Sequence, residues 1–124
     1  MVEKFIIVAP VGDFMDALYV GMREYPTERV ILISSKNFVN QATKTKADLE
    51  KFKIPVKIIQ ITGHVWEETF KTICDLARTE KDKEILINVA TGNNDTRCAA
   101  TCGAFVNGLK AFSVIGETTM PLPV

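Results

Sequence analysis

The stretch Ile85-Leu86-Ile87-Asn88-Val89-Ala90-Thr91-Gly92-Asn93-Asn94-Asp95-Thr96-Arg97 decides the fold, because an uncharged apolar run stops there at small polar residues and a helical pattern begins. Ile85 to Ala90 is too short for a helix and carries no charge, as suits a strand covered on both faces of a parallel sheet. Gly92 offers a turn the positive φ it needs, and Asn93 and Asn94 tolerate that region better than most residues. Asn94, Asp95 or Thr96 is placed to cap the next helix, whose first free N–H groups then face the loop. That arrangement can hold an anionic group such as a phosphate. It is also how any αβ protein joins a strand to a helix, and the stretch alone favours neither reading.

Upstream, the same alternation recurs. Phe5-Ile6-Ile7-Val8-Ala9 is a continuous apolar run ending at Pro10-Val11-Gly12-Asp13. Asp13 is a candidate N-cap with Asp16 three places on, and Met15, Leu18, Tyr19 and Met22 make a helical stripe that Pro26 stops. Arg29 to Ile33 reads as a second strand, closed by Ser34 and Ser35, either able to cap a lysine-rich helix running to about Phe52. Its apolar positions Phe38, Ala42, Leu49 and Phe52 are sparse, so most of that helix is solvated. Pro55 leads into a third strand, Val56 to Ile61, whose Lys57 and Gln60 predict an exposed face or a sheet edge. Trp66, Phe70, Ile73 and Ala77 give a third helix, and the charged run from Glu80 to Glu84 returns the chain to the opening stretch.

Downstream, a helix from about Asp95 to Asn107 stops at Gly108. A fifth strand, Ala111 to Gly116, follows, and Glu117 to Val124 reads as a tail with Pro121 and Pro123. Five strands alternating with four helices predict an α/β fold, a doubly wound three-layer Rossmann-like sandwich around a parallel sheet. Ligands bind such sheets at the carboxyl ends of the strands where the order reverses. In the order 3-2-1-4-5, that point sets Pro10-Val11-Gly12-Asp13 beside Thr91-Gly92-Asn93-Asn94.

A chain of 124 residues reads as one domain, residues 1–124, large enough to bury a core without disulfides or metals. Fifteen acidic and fifteen basic side chains balance, so no global charge points to nucleic acid. Three cysteines, and no signal segment or membrane span at the start, predict a cytoplasmic protein with reduced thiols and no membrane partner.

The first turn lacks Gly-x-Gly-x-x-Gly and no phosphate-loop Lys pattern occurs, which argues against nicotinamide and P-loop nucleotide roles; no cofactor is expected. Cys98 and Cys102 stand one helical turn apart, but no further Cys or His completes a metal set, and they read as small core thiols. The helix that carries them is small-sided, so either the sheet beneath it or the same helix of a second subunit comes close. His64, the single histidine, reads as a capping or surface residue rather than a general base, and Asp13 as a helix cap rather than an acid or base. Arg97, on the first turn of its helix, can clamp a phosphate held by the loop or pair with a neighbouring carboxylate. Asn88 interrupts an apolar strand, and its amide either sets the shape of the adjoining loop or faces a partly wet edge.

Ile87-Asn88-Val89-Ala90-Thr91-Gly92-Asn93-Asn94-Asp95-Thr96-Arg97, followed by an Ala-rich helix, resembles the second signature of the CRISPR-associated Rossmann fold (CARF) family. In that family a hydrophobic strand with Asn or Asp runs into a Thr/Ser-Gly-Gly-Thr-Lys/Arg-like loop. Val8-Ala9-Pro10-Val11-Gly12-Asp13 resembles the family's first signature, and the order of elements matches over nearly the whole chain. This chain has Asn93 where the family's loop has its second Gly, and Asn94-Asp95 adds a residue, an acidic side chain included, before Thr96-Arg97.

The resemblance implies a homodimer with one shared pocket on its two-fold axis, holding a cyclic oligoadenylate or another small nucleotide. Pro10, Val11, Gly12 and Asp13 from the first loop, and Thr91, Gly92, Asn93, Asn94 and Arg97 from the second, would line it. It further implies either the sensor half of a longer regulator, similar to CARF/winged-helix transcriptional regulators, with DNA contacted only through an effector domain beyond this chain, or a sensor complete as it stands. The Met120-Pro121-Leu122-Pro123 segment resembles the join to such a domain. Two other readings stand beside the sensor. One is a slow, metal-independent ring nuclease cleaving the same ligand, with no catalytic residue assignable; the other is a dimerisation module without ligand.

Overall fold

The computed structural model describes residues 4–123. Along them run β1 (Phe5–Pro10), α1 (Asp16–Glu24), β2 (Thr27–Ser35), α2 (Val39–Lys51), β3 (Val56–Ile61), α3 (Val65–Thr79), β4 (Glu84–Asn88), α4 (Asn94–Asn107), β5 (Lys110–Ile115) and β6 (Thr118–Pro121). The strands form one sheet in the order β3-β2-β1-β4-β5-β6. Neighbours from β3 to β5 are parallel, as strand–helix alternation requires. The expected order 3-2-1-4-5 holds, and the order reverses between β1 and β4.

The apolar runs alternate sides and so bury two cores. Ile6, Val8, Ile31, Ile33, Ile85 and Ile87 face α3 and α4, meeting Ile73, Leu76, Ala100 and Ala104. Ile7, Ala9, Val30, Leu32 and Leu86 face α1 and α2, meeting Leu18, Ala42 and Leu49. A strand covered on both faces has no polar side, which is why these runs carry no charge. The helices also approach closely at two glycines. A Cβ on Gly103 would lie 2.9 Å from Ile73 Cγ2, so α4 presses against α3, and a Cβ on Gly21 would collide with the Phe112 ring beneath α1. Within the chain, then, the small side of α4 is used by the sheet and α3. β3, with Lys57 and Gln60 exposed, is the sheet edge its sequence predicts.

Four expectations need correction. First, the sheet has a sixth strand: residues read as a tail return as β6, antiparallel to β5 with Ile115 opposite Thr118. Gly116, at φ 62°, makes the two-residue connection possible, and Pro121 is tolerated because β6 is an edge. Second, Asp13 does not cap α1. Met15 occupies that position without a side-chain bond, and Asp13 belongs to the loop. Third, a 3-10 turn, Lys36–Phe38, intervenes before α2; Thr45 is buried where Phe52, 75% exposed, was expected in the stripe. Fourth, Cys98 is exposed and Cys102 half-buried, so they are not core thiols: Thr96, Ala99, Ala100, Gly103 and Ala104 take the inward face.

Among the described residues no helix is long and apolar enough to cross a membrane.

Candidate functional site

The loops following β1 and β4 meet at the reversal of strand order, where ligands gather in open αβ sheets. They touch through backbone. A Cβ on Gly12 would lie 2.7 Å from Gly92 Cα and 2.9 Å from the Asn93 nitrogen, so only glycine allows the approach. A Cβ on Gly92 would strike the Thr96 hydroxyl and sit 3.1 Å from Pro10 Cβ. Both glycines therefore serve close packing between loops rather than a left-handed turn.

Three cross-loop hydrogen bonds lock the pair. The Thr91 hydroxyl donates to the Pro10 carbonyl (2.6 Å), the Asp13 N–H to Asn93 Oδ1 (3.1 Å), and the Phe14 N–H to the Thr91 carbonyl (3.3 Å). Asn88 settles in favour of loop shaping: fully buried, its Nδ2 donates to the Ala17 carbonyl (3.2 Å) and its Oδ1 accepts from the Ala90 N–H (3.0 Å). One amide thus ties β4, its loop and α1 together.

The helix cap is also displaced by one residue from expectation. Asn93 is the N-cap of α4, and its side chain makes no capping bond because its oxygen is taken by Asp13. Its carbonyl instead accepts from the Thr96 hydroxyl (3.0 Å) and the Arg97 N–H (2.8 Å). The Asn93 side chain makes no bond to the first N–H groups of α4, and the turn also carries the Asp95 carboxylate.

The residues expected at the site divide by exposure. Pro10, Val11, Gly12, Thr91 and Gly92 are buried and form its floor. Asp13 and Asn94 are exposed, and Asn93 and Arg97 half-exposed, so these are the side chains a ligand can touch. Phe14 escaped the sequence reading: it is 54% exposed, with the Arg97 guanidinium 5.6 Å from its ring centroid. Its signal was an aromatic residue directly after Asp13, outside the stripe of α1.

Two hollows flank the loops. One, of about 270 Å³, lies toward β5 and is lined by Asp13, Phe14, Arg97 and Glu117 among others. The other, of about 170 Å³, lies toward β2 and β3, with Val11, Ser35, Asn93, Asp95 and Thr96 on its walls. Asp95 thus faces away from the Arg97 hollow. His64 is exposed ahead of α3, and among the described residues no three His, Cys, Asp or Glu gather as a metal site.

Comparison with known proteins agrees with this architecture. A family model described as HFX_2341_N:-like, N-terminal matches residues 6–119. No curated protein matches the chain by sequence. Among solved structures, protein VC1899 from Vibrio cholerae superposes with a TM-score of 0.84 at 16% identity, over 96% of this chain and 33% of that one. Can2 from Sulfobacillus thermosulfidooxidans, in complex with cyclic tetra-adenylate, gives 0.69 at 18% identity, over 90% and 32%. Enterococcus italicus Csm6, bound to cyclic hexa-2'-fluoro-hexa-dAMP, gives 0.71 at 16% identity, over 93% and 34%. The chain spans about a third of each of these proteins. The fold is CARF-like, as the two signatures imply.

Proposed function

The chain belongs to the HFX_2341_N:-like, N-terminal family, and from that membership and the paired loops we propose that it is a sensor domain for a cyclic oligoadenylate. The observation that carries the reading is the backbone contact of Gly12 with Gly92 and Asn93. It presents Asp13, Asn93, Asn94 and Arg97 together over the uncapped start of α4, on a floor of Pro10, Val11, Gly12, Thr91 and Gly92. Free N–H groups and a guanidinium suit a phosphodiester. Can2 and Csm6, which share the fold, hold cyclic oligonucleotides of this kind.

In this reading the domain works as a homodimer, with the loops of two copies facing across the two-fold axis. Phe105 and Val106, 50% and 69% exposed on the outward side of α4, offer apolar area for a second copy. Residues 1–124 then form one sensing domain, and the signal passes to an effector such as a transcription-control domain in a longer protein.

Isothermal titration with cyclic oligoadenylates of several ring sizes tests the proposal, with ultracentrifugation to establish the dimer. Binding is expected, and Arg97→Ala should weaken it by about 1.5–3 kcal/mol, the worth of a hydrogen bond to a charged group. A folded dimer that gives no heat with any ring removes the ligand assignment. Chromatography of the ring after long incubation separates sensing, which returns it intact, from cleavage.

A further inference from the structure

The hollow of about 270 Å³ on the β5 side has a chemistry unlike that of a phosphate cradle. Phe14 and Val114 give it apolar surface, while the carboxylates Asp13, Asp16 and Glu117 and the one lining cation, Arg97, give it charge. The backbone of Phe14 is tied to the second loop by its N–H on the Thr91 carbonyl, and the residue is 54% exposed. Arg97 lies over the ring, and one guanidinium covers only one of its two faces. The opposite wall makes exposed contacts with α1. Glu117, in the turn between β5 and β6, pairs with Arg23 of α1 at 2.8 Å, and Glu24 accepts from the Thr119 N–H at 2.7 Å.

An exposed aromatic ring beside a cation is a stacking platform for a flat heterocycle attached to an anion. The carboxylates narrow the choice. They accept hydrogen bonds from an exocyclic amine and repel a carbonyl oxygen presented at the same place. The volume lies near the low end for small-molecule pockets, on the order of 300 Å³, which suits one base rather than an entire cyclic oligonucleotide. We infer that Phe14 is the stacking residue for one amine-bearing purine base of the ligand, with Asp13 and Glu117 reading the amine and Arg97 holding the neighbouring phosphate. This deepens the proposed function and rests on it, by giving each protomer a base pocket that tells adenine from hypoxanthine.

Two measurements test it: titration of cyclic tetra-adenylate into the wild type, Phe14→Leu and Phe14→Trp, and NMR titration of the wild type with adenosine and inosine 5'-monophosphates. Phe14→Leu should lose about tenfold to a hundredfold in affinity and Phe14→Trp should retain it, since a stacked base depends on the aromatic face. Adenosine monophosphate should move the Phe14 and Arg97 resonances, with the inosine nucleotide at least about tenfold weaker because its carbonyl meets the carboxylates. Ring binding that survives Phe14→Leu unchanged overturns the base pocket and leaves the sensor reading standing. No ring binding, but selective shifts with adenosine monophosphate, overturns the sensor reading and upholds the pocket. Absence of both, or equal response to the two mononucleotides, overturns the pocket.

Discussion

At the scale of single residues, two side-chain decisions hold the site together. Gly12 has no Cβ because the second loop occupies the space; Gly12→Ala should cost about 1–3 kcal/mol in urea unfolding, the usual range for overpacking. The exposed Gly63 is the control: its added Cβ meets only the end of the Glu68 side chain, which can swing away for no more than its exposed bond from the Thr62 N–H. If both substitutions cost the same, the two loops are not in tight contact. Asn88 is the second. Asn88→Ala strands the Ala90 N–H, takes from the Ala17 carbonyl the donor it has beyond its helical one, and should cost about 1–3 kcal/mol, because a buried polar group loses its compensation. An Asn88→Ala protein with unchanged denaturation midpoint would contradict that role.

At the scale of elements, the strands were legible because each is an apolar run bounded by polar residues. The meeting of the two loops was legible with them, since Gly12 and Gly92 end two such runs. What stayed hidden depends on partners that a local pattern does not contain. β6 is four residues of edge strand with no alternation of its own; it exists because Gly116 turns the chain and α1 supplies Arg23 and Glu24. Asp13 looked like a cap because capping residues are short and polar, but a tertiary contact to Asn93 took its backbone instead.

The phase of α4 misled for a related reason: nearly every position is small, so the inward stripe cannot be told from the outward one, and Cys98 came out exposed. That exposure is measurable. Partial burial, and then the neighbouring Cys98 thiol, push the Cys102 thiol above its ordinary range. Maleimide should therefore modify Cys98 well before Cys102 near neutral pH, as peptide mass spectrometry will show. Modification of Cys102 first would mean that α4 is rotated about its axis, with Cys102 outward and Cys98 turned in.

At the scale of the whole molecule, α1 and α2 are joined over one face of the sheet by a hollow holding Tyr19, Asp16 and Asp48. Burial first, then Asp48 and Asp16, raise the Tyr19 phenol above its usual value near 10. The folded state thus holds this proton more tightly than the unfolded chain. The stability linked to it is fully present below pH 10 and is lost as pH rises through the raised value. Global stability of the wild type should therefore fall more steeply above pH 10 than that of Tyr19→Phe, which has no phenol to ionise. Parallel pH profiles for the two proteins would show that Tyr19 carries none of this dependence.

Asn93 has the residue type and the position to close the first turn of α4, yet its oxygen faces the other loop. About 1 kcal/mol of helix stability, the common value of a capping side chain, is therefore left unrealised at that end. Amide hydrogens of Asp95 and Thr96, which have no acceptor from the cap, should exchange with solvent faster than those of Ala99 and Ala100. An anion that settles there supplies the missing acceptor and slows that exchange. Occupancy would then be written into the order of one helix, and α3, packed along it through Gly103 and Ile73, would feel the stiffening without any loop having to move.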